Sequence, residues 1–421
     1  MKNQKEINDI NGVIVLDKPS GFTSNDCISI IKKTIHPRKI GHTGTLDLNA
    51  TGVLVCLIGD ATKRQEYLMK TGNKIYEAEL IIGFATDTED STGNIISIDK
   101  NINEKRINYD IISEKVNGVI ESFIGEYNQI PPMYSAKKID GKKLLNLAYQ
   151  GKVVERKPCK VKINSLIILS GEYTTIKMKD EIYNVARFSL KVSCSKGTYI
   201  RTLCKDIGEK IGYPSCMGNL RRIENGLFNI EDSVKLEDLK EKFSLSDYSF
   251  IKPCYYREKE TVVTFGKFDT LHIGHKKIIN EVVDNAKKNN LDSVVMIVGN
   301  NSDNIVISKE QRISRLKYYG IDEIINFKLD YGYGNLSPED FVINILIKQL
   351  KAKIVVVGSD CRFGYKGEGD ANILTKICEK YDVKVLIIDK LKIAGTTEDI
   401  SSTYIINKFK EGAENQIRDL L

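Results

Sequence analysis

Apolar stretches and polar turns alternate along the chain in two different rhythms. The first apolar run, Gly12-Val13-Ile14-Val15-Leu16, ends in Asp17-Lys18-Pro19-Ser20-Gly21, the pattern of a strand entering a Pro/Gly turn. Ser24 is then placed to cap a helix from residue 25 to about 34. The unbroken run 53–58 predicts a buried strand, and 74–83 alternates well enough to be another. Residues 186–192 predict a strand that leads into a helix. Between 244 and 260 the periodicity lapses into a polar and aromatic connector. Beyond it a regular alternation begins, with a strand and glycine turn from Thr261, then segments 293–298, 309–319, 323–327, 338–350, 353–357 and 384–388. That alternation predicts a Rossmann-like α/β module.

A chain of 421 residues is long enough for two or more domains, each with its own core. Its composition, 41% hydrophobic and 28% charged, is that of a globular protein, with no low-complexity tract that would suggest a disordered tail. The start is polar, and no apolar run approaches the roughly 20 residues needed to cross a bilayer, so the expected location is the cytoplasm, away from membranes. The nine cysteines contain no Cys-x-x-Cys pair and no metal-ligand spacing. Reduced, mostly buried thiols are expected. A net charge of +7 is mild for this length: it permits an RNA partner without demonstrating one.

The densest candidate chemistry lies in Lys39-Ile40-Gly41-His42-Thr43-Gly44-Thr45-Leu46-Asp47, continued by Ala50-Thr51-Gly52. Glycines and hydroxyls in so short a segment predict a shaped loop, held from behind by the strand at 53–58. Asp47 on that loop is a candidate reactive carboxylate, with His42 nearby. The bland alternative is a turn-capping aspartate and a histidine bonded to a backbone carbonyl. The run resembles the G-H-x-G-T-L-D signature of the TruB family of pseudouridine synthases, whose aspartate is catalytic. Further segments match that family in order. They are Leu16-Asp17-Lys18-Pro19 with Gly21, Thr23 and Ser24; the acidic turn from Asp87 to Gly93; Pro131-Pro132-Met133-Tyr134-Ser135-Ala136; Gly197-Thr198-Tyr199-Ile200-Arg201; and Leu220-Arg221-Arg222.

The resemblance covers residues 12 to about 245 and implies an α+β pseudouridine synthase fold, with a mixed, largely antiparallel sheet and a central cleft. It implies that Arg201 pairs with Asp47, that Tyr76 stacks on the target base, that His42 helps hold the flipped-out nucleotide and that Leu220 lines the uracil pocket. Lys18, Lys63 and Lys137 are the cations expected to face RNA. The implied substrate is the T-arm of tRNA, at the uridine that becomes pseudouridine 55, with no cofactor and no metal. Leu48 stands where the family usually has proline, and the usual small PUA-like RNA-binding domain is not recognisable. The alternative from another class is a non-catalytic RNA-binding or RNA-folding protein, which has no need of Asp47 and Arg201.

A second constellation follows the connector. Gly266-Lys267-Phe268-Asp269-Thr270-Leu271-His272-Ile273-Gly274-His275 places two of the four histidines at the mouth of a helix, a natural phosphate site. Together with Gly358-Ser359-Asp360-Cys361-Arg362-Phe363-Gly364 and Ser401-Ser402-Thr403, it resembles the FAD synthetase module of bacterial riboflavin kinase/FAD synthetases. The resemblance implies adenylyl transfer from ATP to FMN with magnesium, and nucleotide binding by Gly266, Phe268, Asp269, His272, Gly274, His275, Arg362, Ser401, Ser402 and Thr403. Ile406 replaces the family's usual arginine, and Val298-Gly299-Asn300 replaces its F-x-P-H-P turn. These departures leave open another phosphorylated substrate or an inactive docking module. The expected organisation is therefore a catalytic domain at 1–245, a linker at 246–259 and a nucleotidyltransferase module at 260–421, with no stable protein partner implied.

Overall fold

The run Val53-Leu54-Val55-Cys56-Leu57-Ile58 has no polar face, so it has to be covered on both sides. In the computed structural model it is a central strand whose six side chains are fully buried. The structure describes residues 10–135, 137–139, 141–245, 249–299, 307–327, 335–393 and 395–421. Positions 246–248 of the expected connector and Asn300 therefore lie outside the described residues. Among the described residues, contacts divide the chain into two compact units: residues 10, 14–58 and 68–241 form the first, and 11–13, 59–67 and 242–421 the second.

The first unit is built on strands β1 (Gly12–Lys18), β2 (Ile40–Thr43), β3 (Thr51–Ile58), β4 (Lys74–Ile82), β5 (Gly125–Gln129), β6 (Cys159–Met178), β7 (Glu181–Cys194), β8 (Ser215–Asn225) and β9 (Val234–Lys235). Their spatial order is β9-β1-β3-β8-β4-β7-β6-β5, with β2 paired to β3. The sheet is mixed: β1 with β9 and β3 with β8 are parallel. The pairs β2–β3, β4–β8, β4–β7, β6–β7 and β5–β6 are antiparallel. Helices α1 (Ser24–Ile35) and α2 (Ile200–Ile211) carry the segments that converge on the site.

Two sequence expectations change here. Residues 40–43, expected as part of a loop, pair with 55–58 as a short strand, so only the stretch after Thr43 is irregular. Ser24 is not the cap of α1. Thr23 takes that place in a capping box with Asp26, whose carboxylate returns a bond to the Thr23 backbone. This frees Ser24 for a longer reach: its hydroxyl accepts from the Leu46 amide at 3.0 Å.

β3 and β8 meet where Gly52 lies opposite Arg222. Gly52 has φ +97°, and a Cβ there would lie well inside van der Waals contact with the Arg222 carbonyl oxygen. Neither backbone has room to retreat without breaking the pairing. We expect Gly52→Ala to cost on the order of 3 kcal/mol or more, combining left-handed strain with overpacking. Urea unfolding followed by circular dichroism measures this, and a loss below about 1 kcal/mol would show that the strand pair yields easily.

The second unit holds β10 (Thr261–Gly266), β11 (Asp292–Val298), β12 (Glu323–Phe327), β13 (Ala352–Gly358) and β14 (Lys384–Ile388). All four neighbouring pairs are parallel, in the order β12-β11-β10-β13-β14. Helix α3 (Ile273–Asn289) follows β10, and α4 (Lys309–Tyr318), α5 (Ala371–Glu379) and α6 (Ser402–Lys410) come later in the chain. Val262, Val295 and Val356 from three strands pack with Ile279, Val282 and Val283 of α3 in the core. The strand order reverses between β10 and β13, which opens a crevice beyond their carboxyl ends. The Rossmann-like expectation is met.

Candidate active site

Asp47 sits on the irregular stretch after β2, and the residues on either side of it are tied down. Leu46 is bonded to Ser24 through its amide, and the Leu48 carbonyl accepts from the Gly21 amide at 3.0 Å and from the Lys18 ammonium at 3.1 Å. Lys18 is fully buried, and its other bonds go to the carbonyls of Pro19 and Phe22. An ammonium has three N–H donors, so all are engaged inside the protein. The expected role of Lys18 in facing RNA is corrected by this burial: it clamps the Pro19–Phe22 turn to the chain beside Asp47. The sequence match there thus reflects a turn that fixes the reactive loop.

The arginine implied by resemblance arrives from the first turn of α2. Its helix begins just after Tyr199, whose amide donates to Gln129 Oε1 at 2.8 Å and whose carbonyl accepts from Gln129 Nε2 at 3.0 Å. Gln129, buried at the end of β5, was not singled out in the sequence, because a lone glutamine carries no pattern. Arg201 Nε lies 3.0 Å from Asp47 Oδ2, and its NH2 lies 3.3 Å from Oδ1. This is a fork on both carboxylate oxygens. The remaining N–H groups donate to the carbonyls of Thr88 at 3.2 Å and Tyr134 at 2.9 Å, and NH1 lies 3.5 Å from the Asp90 carboxylate. The acidic turn and the Pro-Pro segment therefore serve the same guanidinium. Asp90 also accepts from Thr88 and from the Thr92 amide, so its charge belongs to the turn.

The side chain of Arg201 is 6% exposed, whereas that of Asp47 is 45% exposed. The cation is built in, and the carboxylate is presented. Burial of its surroundings raises the Asp47 pKa, Arg201 opposes that rise, Asp90 adds to it, and Lys18 and Arg222 again lower it.

Tyr76 lies on β4, 6% exposed, with its ionisation disfavoured mainly by burial. Its register neighbour on β8 is Arg222, and its hydroxyl lies against that guanidinium. His42 is on β2, and burial, helped by Arg222, lowers its pKa and favours the neutral ring. Leu220 is buried on β8 at an irregularity in the pairing with β4. Lys137 has another partner, and Lys63 belongs to the second unit. The Lys137 ammonium lies on the Cys159 sulfur, and Lys63 is exposed and paired with Asp60 at 2.9 Å within the 59–67 segment.

The main residue that sequence reasoning passed over is Arg222. It is fully buried, donating from Nε to Val53 O at 2.8 Å and from NH2 to Gly44 O at 3.0 Å. Its neighbour Arg221 grips Asp17 with bonds of 2.8 and 3.1 Å. The Leu-Arg-Arg motif contained the signal, since two adjacent residues of a strand face opposite ways and only one can point at the loop.

In the second unit His272 caps α3, its Nδ1 accepting from the amides of Gly274 at 3.1 Å and His275 at 3.3 Å. Those bonds fix Nδ1 as an acceptor, so the neutral ring carries its proton on Nε2. The rings of His272 and His275 stack at 3.9 Å, and Phe268 lies 5.1 Å from His275. Burial pushes His272 down to about 4, against a smaller pull from Asp360. His275 falls to about 3, again through burial, with His272 and Arg312 adding to the effect. Ser401 caps α6, and Ser402 brings its hydroxyl 3.2 Å from that of Thr270, so two distant motifs meet at the carboxyl end of β10. Thr403 lies in the first turn of α6. Arg362 is largely exposed, with Asp370 3.7 Å away. Arg312, not identified from the sequence, is buried and holds the turn through Lys267 O at 2.9 Å and Asp269 at 3.4 Å. Among the described residues no group of His, Cys, Asp and Glu forms a metal cage.

The first unit is thus of the mixed-sheet pseudouridine synthase type, presenting a carboxylate gripped by a buried guanidinium, and the second is a nucleotidyltransferase-type α/β unit. The chain belongs to the TruB family of pseudouridylate synthases. The family model for its N-terminal domain matches residues 32–200, that for the tRNA pseudouridylate synthase B C-terminal domain matches 201–253, and that for FAD synthetase matches 255–404. The chain is 41% identical over 247 residues to tRNA pseudouridine synthase B of Streptococcus agalactiae, covering 59% of this chain and 80% of that protein. It is 39% identical over 274 residues to the protein of that name from Listeria innocua, covering 65% of this chain and 84% of the other. A solved Cbf5-Nop10-Gar1 complex is similar at 26% identity over 58% of each chain, with a TM-score of 0.40. Among the described residues no helix is long and apolar enough to cross a membrane.

Proposed function

We infer that the protein isomerises uridine to pseudouridine in tRNA, at the T-loop position 55, and that its second unit transfers the adenylyl group of ATP to FMN. The observation that carries the first activity is the forked contact of buried Arg201 on the presented Asp47. In this reaction the N1–C1′ bond breaks, the uracil turns, C5 bonds to C1′, and the hydrogen on C5 leaves while N1 takes up a proton. There is no net redox change and no transfer to a second molecule, so the chemistry calls for no cofactor. Ionised Asp47 acts at the ribosyl centre, with Arg201 fixing its direction. The target base has to leave its stack at a cost of a few kcal/mol, which Tyr76, His42 and Leu220 offset by holding it. Incubating the protein with an unmodified tRNA transcript and mapping pseudouridine tests this reading. No pseudouridine in the T-loop overturns it.

For the second unit, the supporting observation is the stacked His272–His275 pair beside Ser402 at the switch point of a parallel sheet. With Nδ1 held as an acceptor, His272 keeps an Nε2–H donor, the kind of group that stabilises charge growing on an attacked phosphate. With FMN, ATP and magnesium, FAD is the expected product, and His275→Ala is expected to lower its rate by about 100-fold or more. His272→Ala also removes a helix cap, a loss of about 1 kcal/mol in stability. If FAD does not form but another phosphorylated acceptor is adenylylated, the site stands and its acceptor changes.

A further inference from the structure

Three cations gather beside the reactive loop without a carboxylate of their own. Lys74, the first residue of β4, lies between Cys194 of β7 and Asn225 of β8 in the sheet register. Among the described residues its ammonium has no hydrogen-bond or ion-pair partner. The guanidinium of Arg222 is fully buried, and its NH1 has no hydrogen-bond partner. The two heads converge on Gly44: a Cβ at that residue would lie 3.0 Å from Lys74 Nζ and 3.6 Å from Arg222 NH1. Lys196, in the turn after β7, adds its charge to the same place. Buried polar N–H groups are ordinarily satisfied, and like charges ordinarily separate, so this arrangement is costly in the free protein. Gly44, with φ +80° and no side chain, lets both heads come close to its main chain.

We propose that Lys74 and Arg222 form an anion subsite across Gly44, which takes a phosphodiester group of the RNA strand alongside Asp47. This rests on the RNA-substrate reading above. A phosphate there supplies acceptors for Arg222 NH1 and for the Lys74 ammonium, and neutralises the repulsion between them. The electrostatics agree. The Lys74 pKa falls to about 8, through burial first and Arg222 next, with Lys196 adding to the fall and Cys194 opposing it. The lysine binds anions only while protonated, so RNA affinity falls as pH rises through that region.

The test uses the full chain, an unmodified T-arm stem–loop, and the variants Lys74→Met and Lys74→Arg. Lys74→Met is expected to weaken RNA binding about tenfold and to reduce the slope of log affinity against log salt by about 0.7 to 0.9. It is also expected to melt higher than the wild type without RNA, since a half-buried, unpaired charge beside Arg222 is gone, whereas a merely structural lysine would lower the melting temperature. Lys74→Arg is expected to keep the affinity and lose its decline between pH 7 and about 9. Unchanged affinity and salt slope in Lys74→Met, while the wild type still makes pseudouridine, overturns the subsite and leaves the proposed function standing. Absence of pseudouridine with the wild type overturns both.

Discussion

Asp47→Asn is expected to abolish pseudouridine formation, with a fall on the order of 10⁴-fold or more. The amide keeps the size of the carboxylate but removes its charge, and its NH2 group faces the Arg201 donors that gripped an oxygen. No neighbour replaces it: Asp90 is already engaged by Thr88, Thr92 and Arg201. RNA binding is expected to persist, because removing a negative charge near a polyanion does not weaken association. Tritium release from RNA labelled at uridine C5 reads turnover, since forming the C5–C1′ bond expels that hydrogen. Activity within about tenfold of the wild type would mean that another group performs the chemistry.

Arg201→Met acts on the same carboxylate from the other side. Without the guanidinium, Asp47 and Asp90 retain burial and mutual repulsion but lose the cation that opposed them. The Asp47 pKa, already raised, therefore rises further. In the proposed reaction Asp47 acts in its ionised form, so activity lost as pH falls is lost at a higher pH in the variant, and raising the pH restores part of it. A fall of about 10² to 10³ in kcat near neutrality is expected, the scale for removing a charged donor at a reacting centre. The carbonyls of Thr88 and Tyr134 also lose their donor, so stability drops as well. The pH–rate profile separates the two effects: a uniform loss at every pH would reduce Arg201 to a structural part and overturn its electrostatic role.

The sequence made Asp47 and its arginine legible because both lie in ordered motifs whose residue types match a known chemistry. The parallel strands of the second unit were legible because their apolar runs alternate regularly with helices. Lys18 and Arg222 were not. A lysine beside a Pro/Gly turn reads as solvent-facing, and only the fold shows three backbone carbonyls closing over its ammonium. Arg222 is buried because strands β3, β4 and β8, distant in sequence, meet around it, and no local pattern encodes that meeting. Thr23 displaced Ser24 as a helix cap for a similar reason. Either hydroxyl fits a capping rule, but the bond from Leu46 to Ser24 spans 22 positions.

The pins on Leu46 and Leu48 have a kinetic consequence. A reactive group on a floating loop must be gathered in each turnover, and the free energy of that reorganisation enters the barrier. Here the main chain on both sides of Asp47 is anchored before any RNA arrives, by Ser24 on one side and by Lys18 and Gly21 on the other. Binding energy is then free to extrude the base, and the slow conformational event moves from the protein to the nucleic acid. An already unstacked uridine, in a single strand or a mismatched stem, should consequently react without the lag that a structured arm imposes.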